Sequence, residues 1–246
     1  MNQFERLELL IGKNNIDKIQ NATVLIIGLG GVGSYATEAL IRSGIKKIIL
    51  VDNDKIDITN LNRQLMTNYE NIGKFKTEEL KKRIQSINKF IEVKCITKFI
   101  DKTNIDELFK EKIDYVIDAC DTVSTKKEII KTCIKNKIKF ISSMGVGNKL
   151  NPSKLKIVDV RKTNYDPIAK IIRKMVKDEK INAKIPVVYS DEIPIKVKEK
   201  IGSTSFVPAT CGLLCASYII NDIIKEWYKW NKIYIILLNV QAEMYY

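Results

Sequence analysis

The chain has 246 residues, enough for one large domain, and 45% of them are apolar, enough for a full core. Its formal net charge of +13 favours a polyanionic partner such as a nucleic acid, although the abundance of Lys, Ile and Asn is also what an AT-rich genome produces. The sequence contains no histidine. This excludes a Ser-His-Asp triad, a Cys-His dyad and any metal site with a histidine ligand.

The cysteines are scattered along the chain, at Cys95, Cys120, Cys133, Cys211 and Cys215. No two of them form a CxxC pair, so we expect no zinc site, and an odd, scattered set is typical of reduced thiols. The N-terminal segment MNQFERLELL carries acidic residues and lacks the apolar core of a signal peptide. The predicted location is therefore cytoplasmic.

Strands and helices alternate in the first part of the chain. Short apolar runs predict strands, and apolar residues at three- and four-residue spacing predict helices. The predicted helices span 4–11, 32–43, 75–87, 105–110 and 126–136, and the predicted strands span 23–27, 47–51, 92–97, 114–119 and 139–142. This alternation is typical of an α/β fold with a doubly wound, mostly parallel sheet.

The pattern changes after Gly147. Strands are predicted over 155–160, 187–192 and 234–240, helices over 165–177 and about 208–230, and a lysine-rich mobile loop over 196–205. We interpret the later strands as an antiparallel C-terminal extension of the sheet. With neither an internal repeat nor a Pro/Gly-rich linker, the chain is predicted to be one domain over 1–246. Its nucleotide-binding half is predicted at 1–145, and its substrate and dimer half at 146–246.

The segment 206–220 is uncharged and apolar. It is short for a bilayer span and has Pro208 near its start. A buried helix, for instance at a dimer interface, is therefore favoured over a membrane helix.

The most informative stretch is 24–57. An apolar run ends in a turn containing Gly28, Gly30, Gly31 and Gly33, a helical pattern follows, and a second apolar run stops at Asp52. In a Rossmann-like fold such glycines let the backbone approach phosphate, and an acidic residue about 20 positions later binds the ribose hydroxyls. The stretch predicts a nucleotide site, but by itself it fits NAD as well as ATP.

Polar residues beyond Asp52 favour ATP. Asp54, Asn60 and Arg63 follow closely. NAD enzymes need no such cluster, whereas a triphosphate needs cations and polar groups around its β and γ phosphates. Lys76 lies at the start of a predicted helix, close to where phosphate would bind. Its alternative is a solvated lysine in the first helical turn.

Asp121 closes the segment IDACD at the carboxyl end of a predicted strand, the edge of the sheet where ligands bind. We interpret it as a candidate Mg²⁺ ligand. The alternative is an N-cap for the helix predicted at 126–136.

Four motifs in this order, GLGGVG, DNDKIDITNLNRQ, GKFK and ACD, resemble the ubiquitin-activating-enzyme-like adenylyltransferases over residues 1–145. The resemblance implies an enzyme that binds MgATP and transfers AMP to a carboxylate. It implies that Asp52 holds the ribose and Asp121 the metal. The implied contacts to the nucleotide are Gly28, Gly30, Gly31, Gly33, Asp52, Asp54, Asn60, Arg63 and Lys76.

The same resemblance implies a homodimer in which Arg6 reaches the phosphates of the partner subunit. The alternative for Arg6 is an exposed helical arginine. The candidate catalytic residues are therefore Arg6, Arg63, Lys76 and Asp121.

The C-terminal half extends the resemblance to nearly the whole chain. The segments SMGVGNKLNPSKLKIVDVRKTNYDPIAKIIRK, VVYSDEIP and GSTSFVPATCGLLCASYII resemble the tRNA threonylcarbamoyladenosine dehydratases. This implies that ATP activates the threonyl carboxylate of the modified adenosine beside the anticodon, and that a ring closes within the substrate. Two alternatives remain: an enzyme that activates the C-terminal glycine of a ubiquitin-like sulfur-carrier protein, and an NAD-binding oxidoreductase.

Basic residues in this half are candidates for binding tRNA phosphates. Four of them share one face of a predicted helix and three follow in the loop: Lys170, Arg173, Lys174, Lys177, Lys196, Lys198 and Lys200. The alternative is a solvated face in a lysine-rich chain.

Cys211 and Cys215 lie one turn apart in the apolar segment. We interpret them first as small buried residues. A thioester role is the alternative, although no basic residue lies next to them in sequence to lower a thiol pKa. The sequence leaves open whether sulfur-transfer proteins are partners and whether a monovalent cation binds beside ATP and Mg²⁺.

Overall fold

The computed structural model describes residues 2–198 and 200–225. The strands in this part of the chain are β1 (Thr23–Ile27), β2 (Lys47–Val51), β3 (Glu92–Ile96), β4 (Tyr115–Asp118), β5 (Lys139–Ser143), β6 (Leu155–Asp159) and β7 (Pro186–Ser190). The α-helices are α1 (Glu5–Ile11), α2 (Lys13–Asn21), α3 (Gly33–Arg42), α4 (Lys76–Ile87), α5 (Ile105–Leu108), α6 (Val123–Lys135), α7 (Pro167–Asp178) and α8 (Phe206–Ile223).

The strands form one sheet in the order β3-β2-β1-β4-β5-β7-β6. Every neighbouring pair is parallel except β6 and β7. This confirms the predicted Rossmann-like, doubly wound sheet with an antiparallel extension. The winding reverses between β1 and β4, which are neighbours in the sheet but not in the sequence. In such sheets ligands bind outside the carboxyl ends of the strands at this switch point.

Apolar layers cover both faces of the sheet. Ile26 belongs to the layer that includes side chains of α1–α4 and α8, whereas Leu25 belongs to the layer that includes α5–α7. Successive strand residues face opposite sides, and both of these side chains are fully buried. Burial on both faces explains why β1 reads as a continuous apolar run rather than an alternating one.

Most predicted elements are present with ends shifted by three residues or fewer, and β1 and β2 have the predicted bounds. The helix α2 was not predicted. Its sequence, KNNIDKIQN, is polar, and asparagine is a weak helix former. Ile16 and Ile19 are nevertheless buried in the core, and this tertiary packing outweighs the local propensity. The predicted helix end at 230 and the predicted strand over 234–240 lie outside the described residues.

The apolar segment that begins at 206 forms α8, which packs closely on α3. A Cβ atom on Gly212 would lie 2.3 Å from the Val32 carbonyl oxygen, so only glycine allows this approach. By length and composition α8 could also cross a membrane, a test that core helices pass as well. In the structure one face of α8 buries Val207, Cys211 and Ile219 in the core, and 39% of its residues are buried.

Candidate nucleotide-binding and active site

A cleft of about 590 Å³ opens at the carboxyl ends of β1, β2, β4 and β5, around the switch point. This volume is in the range of pockets that bind small molecules. The cleft is lined by candidate residues from several motifs: Gly28, Gly30, Gly31, Asp52, Asp54, Asn60, Arg63, Lys76 and Asp121. The fold therefore brings into one place residues that the sequence separates widely.

Close backbone contacts shape the glycine turn. Gly28 has a φ of 90°, and a Cβ atom there would lie 2.6 Å from the Ala119 carbonyl oxygen. A Cβ atom on Gly33 would lie 1.8 Å from the Gly28 oxygen, so Gly33 serves the packing of α3 on the turn. Gly30 is far less crowded, since a Cβ atom there would only be in ordinary van der Waals contact with Gln64 Nε2 at 3.8 Å. Gly28 and Gly33 therefore build the turn, and Gly30 leaves room for a ligand.

Asp52, just after β2, anchors the turn from the side. Its Oδ2 accepts the N–H of Leu29 at 2.6 Å, and its Oδ1 accepts the N–H of Asp54 at 2.8 Å. Burial raises the pKa of Asp52, and the Lys76 ammonium and these two N–H groups offset this only in part. The carboxylate is thus fixed in the cleft wall where a ribose is expected.

Lys76, the first residue of α4, is only 5% exposed. Its Nζ lies 2.7 Å from Asp54 Oδ2, and the Asp54 side chain is itself 57% exposed. The alternative of a solvated lysine is therefore wrong. The exposed Asp54 carboxylate thus holds the buried Lys76 ammonium inside the cleft.

The loop after β2 supplies three polar side chains. Asn60 is buried, and its Oδ1 accepts the N–H of Asp57 at 3.1 Å, which closes a 3-10 turn. Arg63 donates from Nη1 to the Thr59 carbonyl oxygen at 2.7 Å. Gln64 was not proposed as a contact, yet it lines the cleft, and its buried Oε1 accepts no hydrogen bond within the described residues. A buried acceptor without a donor fits a bound molecule that carries an N–H or O–H group.

Asp121 is exposed and lines the cleft. The N-cap of α6 is Thr122, and α6 has no side-chain cap hydrogen bond. The N-cap alternative for Asp121 is therefore wrong. No hydrogen bond or ion pair engages the Asp121 carboxylate within the described residues, so it is available to a ligand.

Other residues that sequence reasoning missed lie behind the 119–121 turn, which carries Asp121. Lys126 is fully buried, and its Nζ lies 2.8 Å from Asp118 Oδ2 and 3.2 Å from Ser142 Oγ. A signal existed in the sequence, because Lys126 occupies the same helical face as the buried Ile129 and Ile130. Burial lowers the pKa of Lys126, but the Asp118 carboxylate and the neighbouring Cys120 and Cys215 together outweigh it and raise the pKa, so the ammonium stays charged. Leaving either charge buried alone would cost about 3–5 kcal/mol.

Arg6 and the predicted tRNA-binding residues lie outside the cleft. Arg6 is exposed on α1, so within one chain it does not reach the site. Arg173 is half-buried and donates to Thr163 Oγ1. The remaining basic residues are exposed on α7 or on the loop that precedes α8: Lys170, Lys174, Lys177, Lys196, Lys198 and Lys200. Ile201 in that loop lines the cleft, so the loop adjoins the site.

The two cysteines of α8 are not placed to react with a bound substrate. Cys211 and Cys215 are fully buried in α8. A hydrogen bond with Cys211, together with burial, raises the pKa of the Cys215 thiol well above its usual value. This agrees with small buried residues and gives no support to a thioester role. The described residues contain no group of three or more Cys, Asp or Glu side chains that would hold a metal ion by themselves.

Known proteins share both sequence and fold with this chain. The ThiF family matches residues 4–236. The tRNA threonylcarbamoyladenosine dehydratase of Bacillus subtilis (strain 168) is 39% identical over 244 residues, covering 92% of this chain and 96% of the relative. The crystal structure of the E. coli tRNA N6-threonylcarbamoyladenosine dehydratase in complex with ATP is 31% identical, with a TM-score of 0.86 and the same coverage. Its complex with AMP has a TM-score of 0.86 at 30% identity, again covering 92% of this chain and 96% of that one.

Proposed function

The chain belongs to the ThiF family, and we propose that it is an ATP-dependent tRNA threonylcarbamoyladenosine dehydratase. One observation carries this proposal. The similarity to the dehydratases covers 92% of this chain and 96% of the relative, so it includes the C-terminal half as well as the nucleotide motifs. The oxidoreductase alternative loses its support, because the cleft holds Arg63 and Lys76, cations that suit a triphosphate.

ATP is a substrate of this reaction, and the cleft has the features that it needs. Gly30 lines the cleft without a side chain and so lets phosphate approach the backbone, and the Asp52 carboxylate suits ribose hydroxyls. Asn60, Arg63 and Lys76 are assigned to the triphosphate. The buried Oε1 of Gln64 is a further acceptor for an N–H or O–H group of a bound molecule.

In the first step the threonyl carboxylate attacks the α-phosphorus of ATP. A carboxylate oxygen–phosphorus bond forms, the α–β bridging bond breaks, and pyrophosphate leaves with the electron pair. Negative charge grows on the phosphoryl oxygens as this happens. Lys76 stabilises this charge because Asp54 holds its ammonium in place before the reaction begins.

Mg²⁺ fits the site through Asp121. One free carboxylate together with substrate phosphates is an ordinary environment for Mg²⁺, which needs no complete cage of protein ligands. When bound, the ion neutralises charge on the phosphates. Asp121 suits this role because no neighbouring described residue occupies its carboxylate.

In the second step a nucleophile within the same modified nucleoside attacks the activated carbonyl carbon. The carbonyl carbon–oxygen bond to AMP breaks, AMP leaves, and the ring closes. Because the reaction is intramolecular, it avoids the entropy cost of bringing two molecules together. No protein thiol is required, in agreement with the burial of Cys211 and Cys215.

The tRNA is assigned to the surface formed by α7 and the loop before α8. The exposed lysines of α7 suit a phosphate backbone, which binds through charge rather than through fixed pairs. A tRNA bound to this surface would lie beside the cleft, because Ile168 of α7 and Ile201 of the loop both line the cleft. We place the enzyme in the cytoplasm, where its free cysteines would remain reduced.

The enzyme is assigned as a homodimer with Arg6 acting in the partner's site. The support is that Arg6 is exposed on α1, with exposed apolar residues Leu9 and Leu10 on the same helix. Exposed apolar side chains of this size favour burial against another surface.

Purified enzyme tests the proposed substrate. Incubation with ATP, Mg²⁺ and tRNA that carries threonylcarbamoyladenosine is expected to release AMP and pyrophosphate. It should also convert the nucleoside to a product lighter by one water, detected by mass spectrometry. A sulfur-carrier protein with a diglycine tail serves as the alternative substrate. Pyrophosphate release that depends on this protein and not on tRNA would refute the proposal.

A further inference from the structure

A buried polar cluster lies behind the turn that carries Asp121, and the mechanism above makes no use of it. We call Asp118, Lys126, Ser142 and Cys120 the Asp118 cluster. The first three are fully buried. Asp118 Oδ2 accepts hydrogen bonds from Lys126 Nζ at 2.8 Å and from Ser142 Oγ at 2.5 Å. The cluster thus ties the end of β4 to β5 and to the first turns of α6.

The other oxygen of Asp118 holds the turn itself. Its Oδ1 accepts the backbone N–H of Cys120 at 3.3 Å and the Cys120 thiol at 3.1 Å. The residue between them, Ala119, donates its N–H to the Ile27 carbonyl oxygen at 2.8 Å. Asp121 comes next in the chain and has no anchoring side-chain contact within the described residues. Its direction is therefore set by the turn, which Asp118 holds together with the hydrogen bond from Ala119 to Ile27.

The cluster is poorly explained as a source of stability alone. Apolar side chains of similar volume commonly replace a buried ion pair without loss of stability, because the pair must first lose its hydration. An ion pair does fix the orientation of the groups around it, because each charged hydrogen bond holds one atom relative to another. Here Asp118 fixes the N–H and the thiol of Cys120, the residue directly before Asp121.

We propose that Asp118 and Lys126 are positioning residues for the reaction, acting through the 119–121 turn to aim Asp121 at the metal and phosphates. The inference rests on the proposed function, in particular on the role of Asp121. Neither residue lines the cleft. Groups that orient a metal ligand in this way typically change metal affinity or activity by about 10–100-fold when they are lost.

The test removes both charges together. Asp118→Leu combined with Lys126→Met leaves no buried charge unpaired. ATP affinity is measured by calorimetry with Mg²⁺ and with chelator, and kcat is measured with modified tRNA. The variant is expected to bind ATP normally in chelator, to lose the gain in affinity that Mg²⁺ gives the wild type, and to lose kcat by about 10–100-fold. Asp121→Asn should show the same pattern.

Two controls separate the outcomes. Ile19→Ala, a truncation of a fully buried side chain in α2, lowers stability far from the cleft and should leave the Mg²⁺ effect intact. If Asp121→Asn loses the Mg²⁺ effect and the double variant keeps it, the inference fails and the proposed function stands. If the wild type and Asp121→Asn respond to Mg²⁺ equally, the role of Asp121 fails and the inference falls with it.

A milder variant covers the case in which the double variant does not fold. Ser142→Ala removes only the hydroxyl that donates to Asp118 Oδ2. It is expected to weaken the Mg²⁺ effect in the same direction by a smaller factor. A folded Ser142→Ala enzyme with the full Mg²⁺ effect would then overturn the inference.

Discussion

Lysine occurs in two contrasting environments in this molecule. Lys76 and Lys126 are 5% and 0% exposed, and each ammonium lies within 2.8 Å of a carboxylate oxygen. Lys170, Lys174 and Lys177 are exposed on α7, and no carboxylate pairs with them within the described residues. The buried cations are held at fixed positions and can act on particular atoms. The exposed ones supply a field that suits any polyanion and is screened by salt.

The largest expected effect is that of removing the buried cation in the cleft. Lys76→Ala should lower turnover by about 10²–10³-fold, the usual cost of losing one preorganised group that stabilises transition-state charge. The melting temperature of the variant should change little, because the Asp54 carboxylate that loses its partner is exposed to water. Lys74→Ala, two residues away and exposed, is the matched control. Equal activities of the two variants would remove the distinction between buried and exposed lysines.

Asp121→Ala is expected to lower metal-dependent turnover by at least about 10–100-fold. Thermal stability should be preserved, because Thr122 rather than Asp121 is the N-cap of α6. Steady-state kinetics and a melting curve on the same preparation check both parts. Parallel losses of activity and melting temperature would show that the carboxylate is structural.

Mixed dimers test the proposed transfer of Arg6 between subunits. Arg6→Ala and Asp121→Ala are each expected to lose most of their activity, but a mixed dimer should regain one site with both residues intact. After random exchange of subunits, roughly a quarter of the sites should be active. Activity that stays at the level of the separate variants would contradict a shared site.

Loss of the exposed lysines should affect tRNA binding rather than chemistry. The variant replaces three α7 residues by alanine: Lys170, Lys174 and Lys177. The KM for tRNA should rise several-fold with kcat unchanged, and its dependence on salt should weaken, each lost phosphate contact removing roughly 0.7–0.9 from the logarithmic slope. The matched control replaces three exposed lysines that do not line the cleft: Lys110, Lys112 and Lys135. An equal rise in KM for the control would show a general charge effect.

The smallest effect is expected at Cys215. Cys215→Ala should leave kcat unchanged, because the thiol is fully buried and its pKa is raised well above the usual value. Mass spectrometry of the enzyme during turnover should find no acylated cysteine. A trapped thioester at Cys215 would contradict ring closure without a protein nucleophile.

Local patterns determined which features the sequence could predict. β1 and β2 were predicted to the residue, since strands buried on both faces are unbroken apolar runs ended by glycine or aspartate. The helix α2 was missed because its two buried isoleucines, Ile16 and Ile19, act only through tertiary packing.

The residues of the site also divide into those that local sequence patterns predicted and those that only the folded chain brings together. Its motifs, read in order, predicted the residues that line the cleft, such as Asp52 and Lys76. Lys126 was missed because its partners Asp118 and Ser142 come from two different strands, and only the folded sheet brings them together. The N-cap alternative for Asp121 could be decided only by knowing where α6 begins.

In the proposed reaction the threonyl carboxylate of a modified tRNA is adenylylated in this cleft. The most direct measurement uses tRNA whose threonyl carboxylate carries a heavy oxygen isotope. Attack on the α-phosphorus, followed by ring closure, transfers one carboxylate oxygen to AMP. The expected products are therefore AMP with a single heavy oxygen and a cyclic nucleoside that has lost one. Unlabelled AMP, or label in inorganic phosphate, would contradict adenylylation of the carboxylate.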